Sequence, residues 1–121
     1  MELNRLVREI GAIEGVEGVY VFGSAAKGKQ RPYSDVDICV ITKPGISEKT
    51  RTAILSNGSK KLDISIFNDL PIYIQFRVFK EGRPLLVKDR LAVHRVKTAT
   101  LKEYQNFRPL LQRHYSKIWG D

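Results

Sequence analysis

Asp35 and Asp37 stand two residues apart at the head of an apolar run, Val36-Asp37-Ile38-Cys39-Val40-Ile41. Side chains of an extended strand alternate, so both carboxylates project from one face while Val36, Ile38 and Val40 take the other. Neighbouring carboxylates repel unless a proton or a divalent cation neutralises them. Asp63 lies in a second alternating run and faces away from Leu62, Ile64 and Ile66. A charge in such a strand is costly unless it is paired or bound to metal. Upstream, Gly23-Ser24 closes the run Val19 to Phe22 and leads into a turn with Ala25, Ala26 and Gly28. Glycine lets an anion approach the backbone, and exposed N–H groups together with the Ser24 hydroxyl can donate to phosphate oxygens. The parts combine as an anion cradle and three carboxylates. Hard oxygen donors of this kind select Mg²⁺, or Mn²⁺ in its place, rather than zinc. Two such ions about 3.5–4 Å apart clamp the attacking and leaving oxygens of an in-line phosphoryl displacement.

Each piece alone is unspecific. An Asp-x-Asp is more often a turn or a cap, a Gly-Ser after a strand is usually a turn, and Asp63 read alone could face water on an edge strand. Their order and their placement on strands make the set specific. Lys27, Lys29 and Arg31 fall between Ser24 and Asp35. A solvated loop and contact with a triphosphate both fit them. His94 and His114 have no second ligand at i+4 and read as surface residues, not metal ligands.

These residues need strands to carry them and helices to cover the strands. Leu3, Leu6, Val7, Ile10 and Ile13 recur at helical spacing and predict an amphipathic helix over 3–13, with Gly15 and Gly18 bracketing its end. Strands are predicted over 19–22, 36–41 and 62–67, with a short fourth over 85–87. Ser47 caps a helix that stops near Asn57-Gly58. Asn68 or Asp69 caps the next, with Pro71 in its first turn and Ile72, Phe76 and Phe79 inward. Asp89 caps a long basic helical region in which Arg108-Pro109 should make a kink or a break. Tyr104, Phe107, Leu111, Tyr115, Ile118 and Trp119 supply its apolar side. The expected fold is α/β (α+β): one small domain, a sheet of three to four strands flanked by helices. A core over 1–88 would carry the site, with a basic helical extension over 89–121 packed on the same domain.

The 121 residues suffice for one core. The single cysteine, Cys39, excludes an internal disulfide and reads as a small buried hydrophobe. No secretory signal or membrane-spanning run is visible, so a cytoplasmic location is expected. The net charge of +8 is uneven. Residues 1–75 carry a net +1 and residues 76–121 a net +7. A basic half implies an anionic neighbour, whether nucleotide, nucleic acid or acidic protein surface. With no Arg-rich block and no interleaved aromatic platform, direct nucleic-acid binding is not favoured.

Gly23-Ser24, ten residues, then Asp35-Val36-Asp37 resembles the signature of the DNA polymerase β nucleotidyltransferase superfamily, and among its members the minimal nucleotidyltransferases. The resemblance is strong over 19–67 and general beyond 70. It implies a mixed sheet and ATP or another NTP as donor. It further implies phosphate binding by Gly23 and Ser24, two metals on Asp35 and Asp37, and the catalytic metal on Asp63, which also assists deprotonation of the acceptor. Small members of this family are often antitoxins paired with a helical HEPN-domain toxin, to which they attach AMP at a tyrosine. Transfer of AMP to a small hydroxylated molecule, and neutralisation of a partner by contact alone, are the competing readings.

Overall fold

The computed structural model describes residues 2–23 and 36–119, with side chains over 3–23 and 36–109. Among the described residues, four α-helices and four strands follow in the order α1 (Glu2–Gly11), β1 (Val16–Phe22), β2 (Val36–Thr42), α2 (Glu48–Leu55), β3 (Leu62–Ile66), α3 (Ile72–Glu81), β4 (Arg83–Val87) and α4 (Arg90–Trp119). The strands form one mixed sheet in the order β3-β2-β1-β4. β1 is antiparallel to β2 and to β4, whereas β2 and β3 are parallel, joined by the α2 crossover. The expected mixed sheet of three to four strands is thus a sheet of four.

Strand alternation divides the core between the two faces of the sheet. Val19, Val21, Ile38, Val40, Leu62 and Ile66 pack with Leu6 and Ile10 of α1 and Ile54 of α2. Tyr20, Cys39 and Ile41 pack on the opposite face with Phe67, with Val78 and Phe79 of α3, and with Val93 of α4. Cys39 is fully buried, and burial pushes its thiol up to about 12, as expected of a core residue.

Several boundaries differ from the sequence reading, each for a local reason. β1 begins at Val16 rather than Val19, so Gly18 lies inside a strand instead of ending a helix. A Cβ there would come within 3.1 Å of Val93 Cγ2 and 3.3 Å of the Leu86 carbonyl, so the glycine admits α4 close to the sheet. β4 begins at Arg83 and includes Pro84, which an edge strand tolerates. Asn68 and Asp69 do not cap α3. They belong to a 3₁₀ turn, Phe67–Asp69, and Asp69 instead pairs with Arg51 of α2. Pro71 is itself the N-cap of α3 and makes no side-chain cap bond. Ser47 and Asp89 cap as expected: the Thr50 N–H donates to Ser47 Oγ at 3.1 Å and the Ala92 N–H to Asp89 Oδ1 at 3.0 Å. α4 does not break at Pro109, which lies inside the helix. Gln105 to Pro109 are all exposed, so the backbone acceptor that proline leaves unpaired can bond to water. Among the described residues, no helix is long and apolar enough to cross a membrane.

Candidate active site

The end of β1 and the starts of β2 and β3 meet at one edge of the sheet. Asp37 pairs in register with Phe22 of β1 on one side and with Asp63 of β3 on the other. Parallel partners in register present their side chains to the same face, about 4.8 Å apart from strand to strand. The two carboxylates therefore stand side by side, on the face that farther along carries Cys39 and Ile41. Leu62 and Ile66 are buried on the other face, as the alternation of 62–67 requires.

Asp37 is half-buried and Asp63 is exposed on an edge strand. The cost of burying a charge therefore does not single Asp63 out. Its pairing with Asp37 does.

Gly23 follows β1 directly and has φ +74, a region that favours glycine. A Cβ on Gly23 would lie 2.5 Å from Asp37 Oδ2. The turn glycine is thus pressed against the carboxylate of the next strand. Nothing in the spacing of the sequence announces this contact. Gly45 is a natural control, with φ +73 and nothing within 4 Å of a Cβ. Gly45→Ala should carry only the backbone cost, about 1–2 kcal/mol. Gly23→Ala should cost distinctly more, because the methyl group also displaces the Asp37 carboxylate. Equal losses in a pair of denaturant titrations would show that this contact has no energetic weight.

Ser24, Lys27, Arg31 and Asp35 lie outside the described residues, as does Lys29. Of the residues singled out by sequence, Gly23, Asp37 and Asp63 are brought together. Among the described residues, no group of three or more His, Cys, Asp or Glu is placed to hold a metal ion. Asp37 and Asp63 offer a pair of hard oxygen donors, which suits a divalent cation such as Mg²⁺. His94 is exposed on α4 and takes no part.

The model of the polymerase beta nucleotidyltransferase family matches residues 5–91, a span that contains the glycine turn and all three aspartates. The chain belongs to this family. Within the polymerase beta nucleotidyltransferases, a candidate protein adenylyltransferase of Methanocaldococcus jannaschii is 38% identical over 68 residues, 56% of this chain. The match spans 53% of that relative, about half its length. Among solved structures, one described as a minimal nucleotidyltransferase is 27% identical with a TM-score of 0.52 over 70% of this chain and 97% of its own. A chain from the complex of a tri-AMPylated Shewanella oneidensis HEPN toxin with its MNT antitoxin is 17% identical, with a TM-score of 0.68. That likeness covers 97% of this chain and 92% of the other. At that identity it bears on the fold of this nucleotidyltransferase alone.

Proposed function

We propose that this nucleotidyltransferase moves AMP from ATP to a hydroxyl acceptor, a tyrosine of a helical HEPN-type toxin, and so acts as that toxin's antitoxin. The observation that carries the reading is the register of Asp37 with Asp63 beside the Gly23 turn. Paired carboxylates next to an anion-accepting turn suit phosphoryl transfer, and the family supplies the reaction class. The AMP-modified HEPN toxin found with a chain of this fold supports the choice of nucleotide and acceptor.

In this reading the backbone N–H groups after Gly23 and the Ser24 hydroxyl would donate to the triphosphate, and Lys27 and Arg31 would supply positive charge to it. Asp35 and Asp37 would hold two Mg²⁺ ions, and Asp63 would share in holding the catalytic one. Bound ions supply charge neutralisation to the entering and leaving oxygens. The acceptor oxygen bonds to the α-phosphorus as the bond to the pyrophosphate oxygen breaks, and pyrophosphate leaves with that electron pair. The acceptor's proton passes to the Asp63 carboxylate, which is exposed and so open to an incoming protein side chain. The division into a catalytic core over 1–88 and an extension over 89–121 belongs to the same proposal.

Intact-mass spectrometry tests it. The chain, ATP, Mg²⁺ and the HEPN-type protein of the same genome should yield one or more AMP-sized additions on a partner tyrosine. Neutralisation of the partner without any mass change, and equally by Asp37→Asn, would instead establish inhibition by contact alone.

A further inference from the structure

The strongest unassigned feature is the seam between α3 and α4. α3 and α4 run in opposite senses: Val78 and Phe79 share a core with Val93 and Val96, while Phe76 stacks on Tyr104 at 3.8 Å between centroids and 8° between planes. Lys80 lies 5.7 Å over the Phe76 ring. One helical turn before Phe76 is Tyr73, and one turn after Tyr104 is Phe107. Both are exposed, each at 39%. Four aromatic residues therefore follow the seam of the two helices, and the outer two are open to solvent. Isolated apolar residues at a surface need no explanation, but aromatic residues continuous with a packed stack mark an interaction surface.

Past Tyr104, α4 has no covered side chain among the described residues. The helix nevertheless continues to Trp119, fifteen more residues or about 22 Å. Over Gln105 to Pro109, where the side chains are described, all are exposed, and a helical stretch that contains proline and lacks packing is marginal in water. The stretch from Gln105 to Trp119 contains Arg108, Arg113 and Lys117 and no Asp or Glu. A second copy of the same arm would meet it with like charge. The shape likeness to the toxin–antitoxin chain leaves out only 3% of this chain, about four residues, so it takes in most of this arm.

We infer that the aromatic seam of α3 and α4, with the exposed turn Gln105 to Pro109 that continues it, is the docking surface for a helical protein partner that offers an apolar groove rimmed by acidic side chains. The partner is the HEPN-type protein of the function proposed above, and the inference rests on that reading. Phe107 and Tyr73 enter the groove, and the exposed Arg108 beside Phe107 meets its rim. This places docking on one helical layer and chemistry at the strand ends.

The test uses the full chain with the HEPN-type protein of its own genome, measured by size-exclusion chromatography with light scattering and by titration calorimetry. Phe107→Asp should weaken the complex at least about thirtyfold, as loss of an interface aromatic does. Tyr73→Asp should act in the same direction. Both variants should melt like wild type, since the two side chains are exposed, and Asp37→Asn should bind like wild type. If the wild-type chain binds and both aspartate variants bind equally well, docking lies elsewhere, although the functional reading stands. If the wild-type chain does not bind the HEPN-type protein, both fall. Self-association abolished by Phe107→Asp would then assign the seam to a second copy.

Discussion

Asp37→Asn and Asp63→Asn should each lower nucleotidyl transfer by about a thousandfold or more while leaving the protein folded. A metal-held phosphoryl transfer draws several kcal/mol of charge stabilisation from its ligands, and each 1.4 kcal/mol is tenfold in rate. The amide keeps the shape of the carboxylate and loses the charge. Neither side chain is part of the apolar core: Asp63 is exposed and Asp37 half-buried. Far-ultraviolet circular dichroism should match wild type, and labelled ATP with the cognate acceptor reads the rate. The two variants should not be additive, because they serve one site. Wild-type rates in either one would remove that residue from the site.

The second large effect is on stability. A ligand that binds the folded site and not the unfolded chain stabilises by RT ln(1 + [L]/Kd), about 2.7 kcal/mol at a hundredfold excess over Kd. For a domain of this size that is a rise in Tm of roughly 10 °C. Wild type should show it with Mg²⁺ plus ATP, and less with Mg²⁺ alone, since the phosphates complete the coordination of the ions. Asp37→Asn should lose most of the gain. Melts at fixed ionic strength separate binding from screening. Equal responses of the two proteins to Mg²⁺ plus ATP would show that Asp37 does not share a metal cleft with Asp63.

Alternation in 36–41 and 62–67 was enough to set Asp37 on the face away from Ile38 and Val40, and Asp63 on the face away from Leu62 and Ile66, because successive side chains of a strand point to opposite faces even where, as in β2, both faces are buried. What alternation does not contain is register. That Asp37 stands opposite Asp63, rather than opposite Ser65, follows from the pairing of β2 with β3, which the α2 crossover and the packing of Ile54, Leu62 and Ile66 settle together. The same limit hid the contact of Gly23 with Asp37, which depends on β1 lying beside β2. The misplaced boundaries have a common origin. Gly18 and Pro109 read as the ends or breaks of elements, and each is accommodated by its surroundings, Gly18 by a closely packed helix and Pro109 by an exposed helical turn. Local propensity is overruled where tertiary structure removes its cost.

The closeness of Gly23 to Asp37 has a bearing on heredity. A side chain at position 23 competes for the space of the carboxylate at position 37, so the two positions should drift together. In descendants that keep an acid at 37, position 23 stays glycine on two counts, backbone angle and space. In descendants that lose the acid to a smaller residue, only the backbone angle remains, and asparagine, which tolerates that angle, becomes admissible. Paired change at 23 and 37 in a lineage is thus the mark of an ancestor that carried the site and a descendant that gave it up.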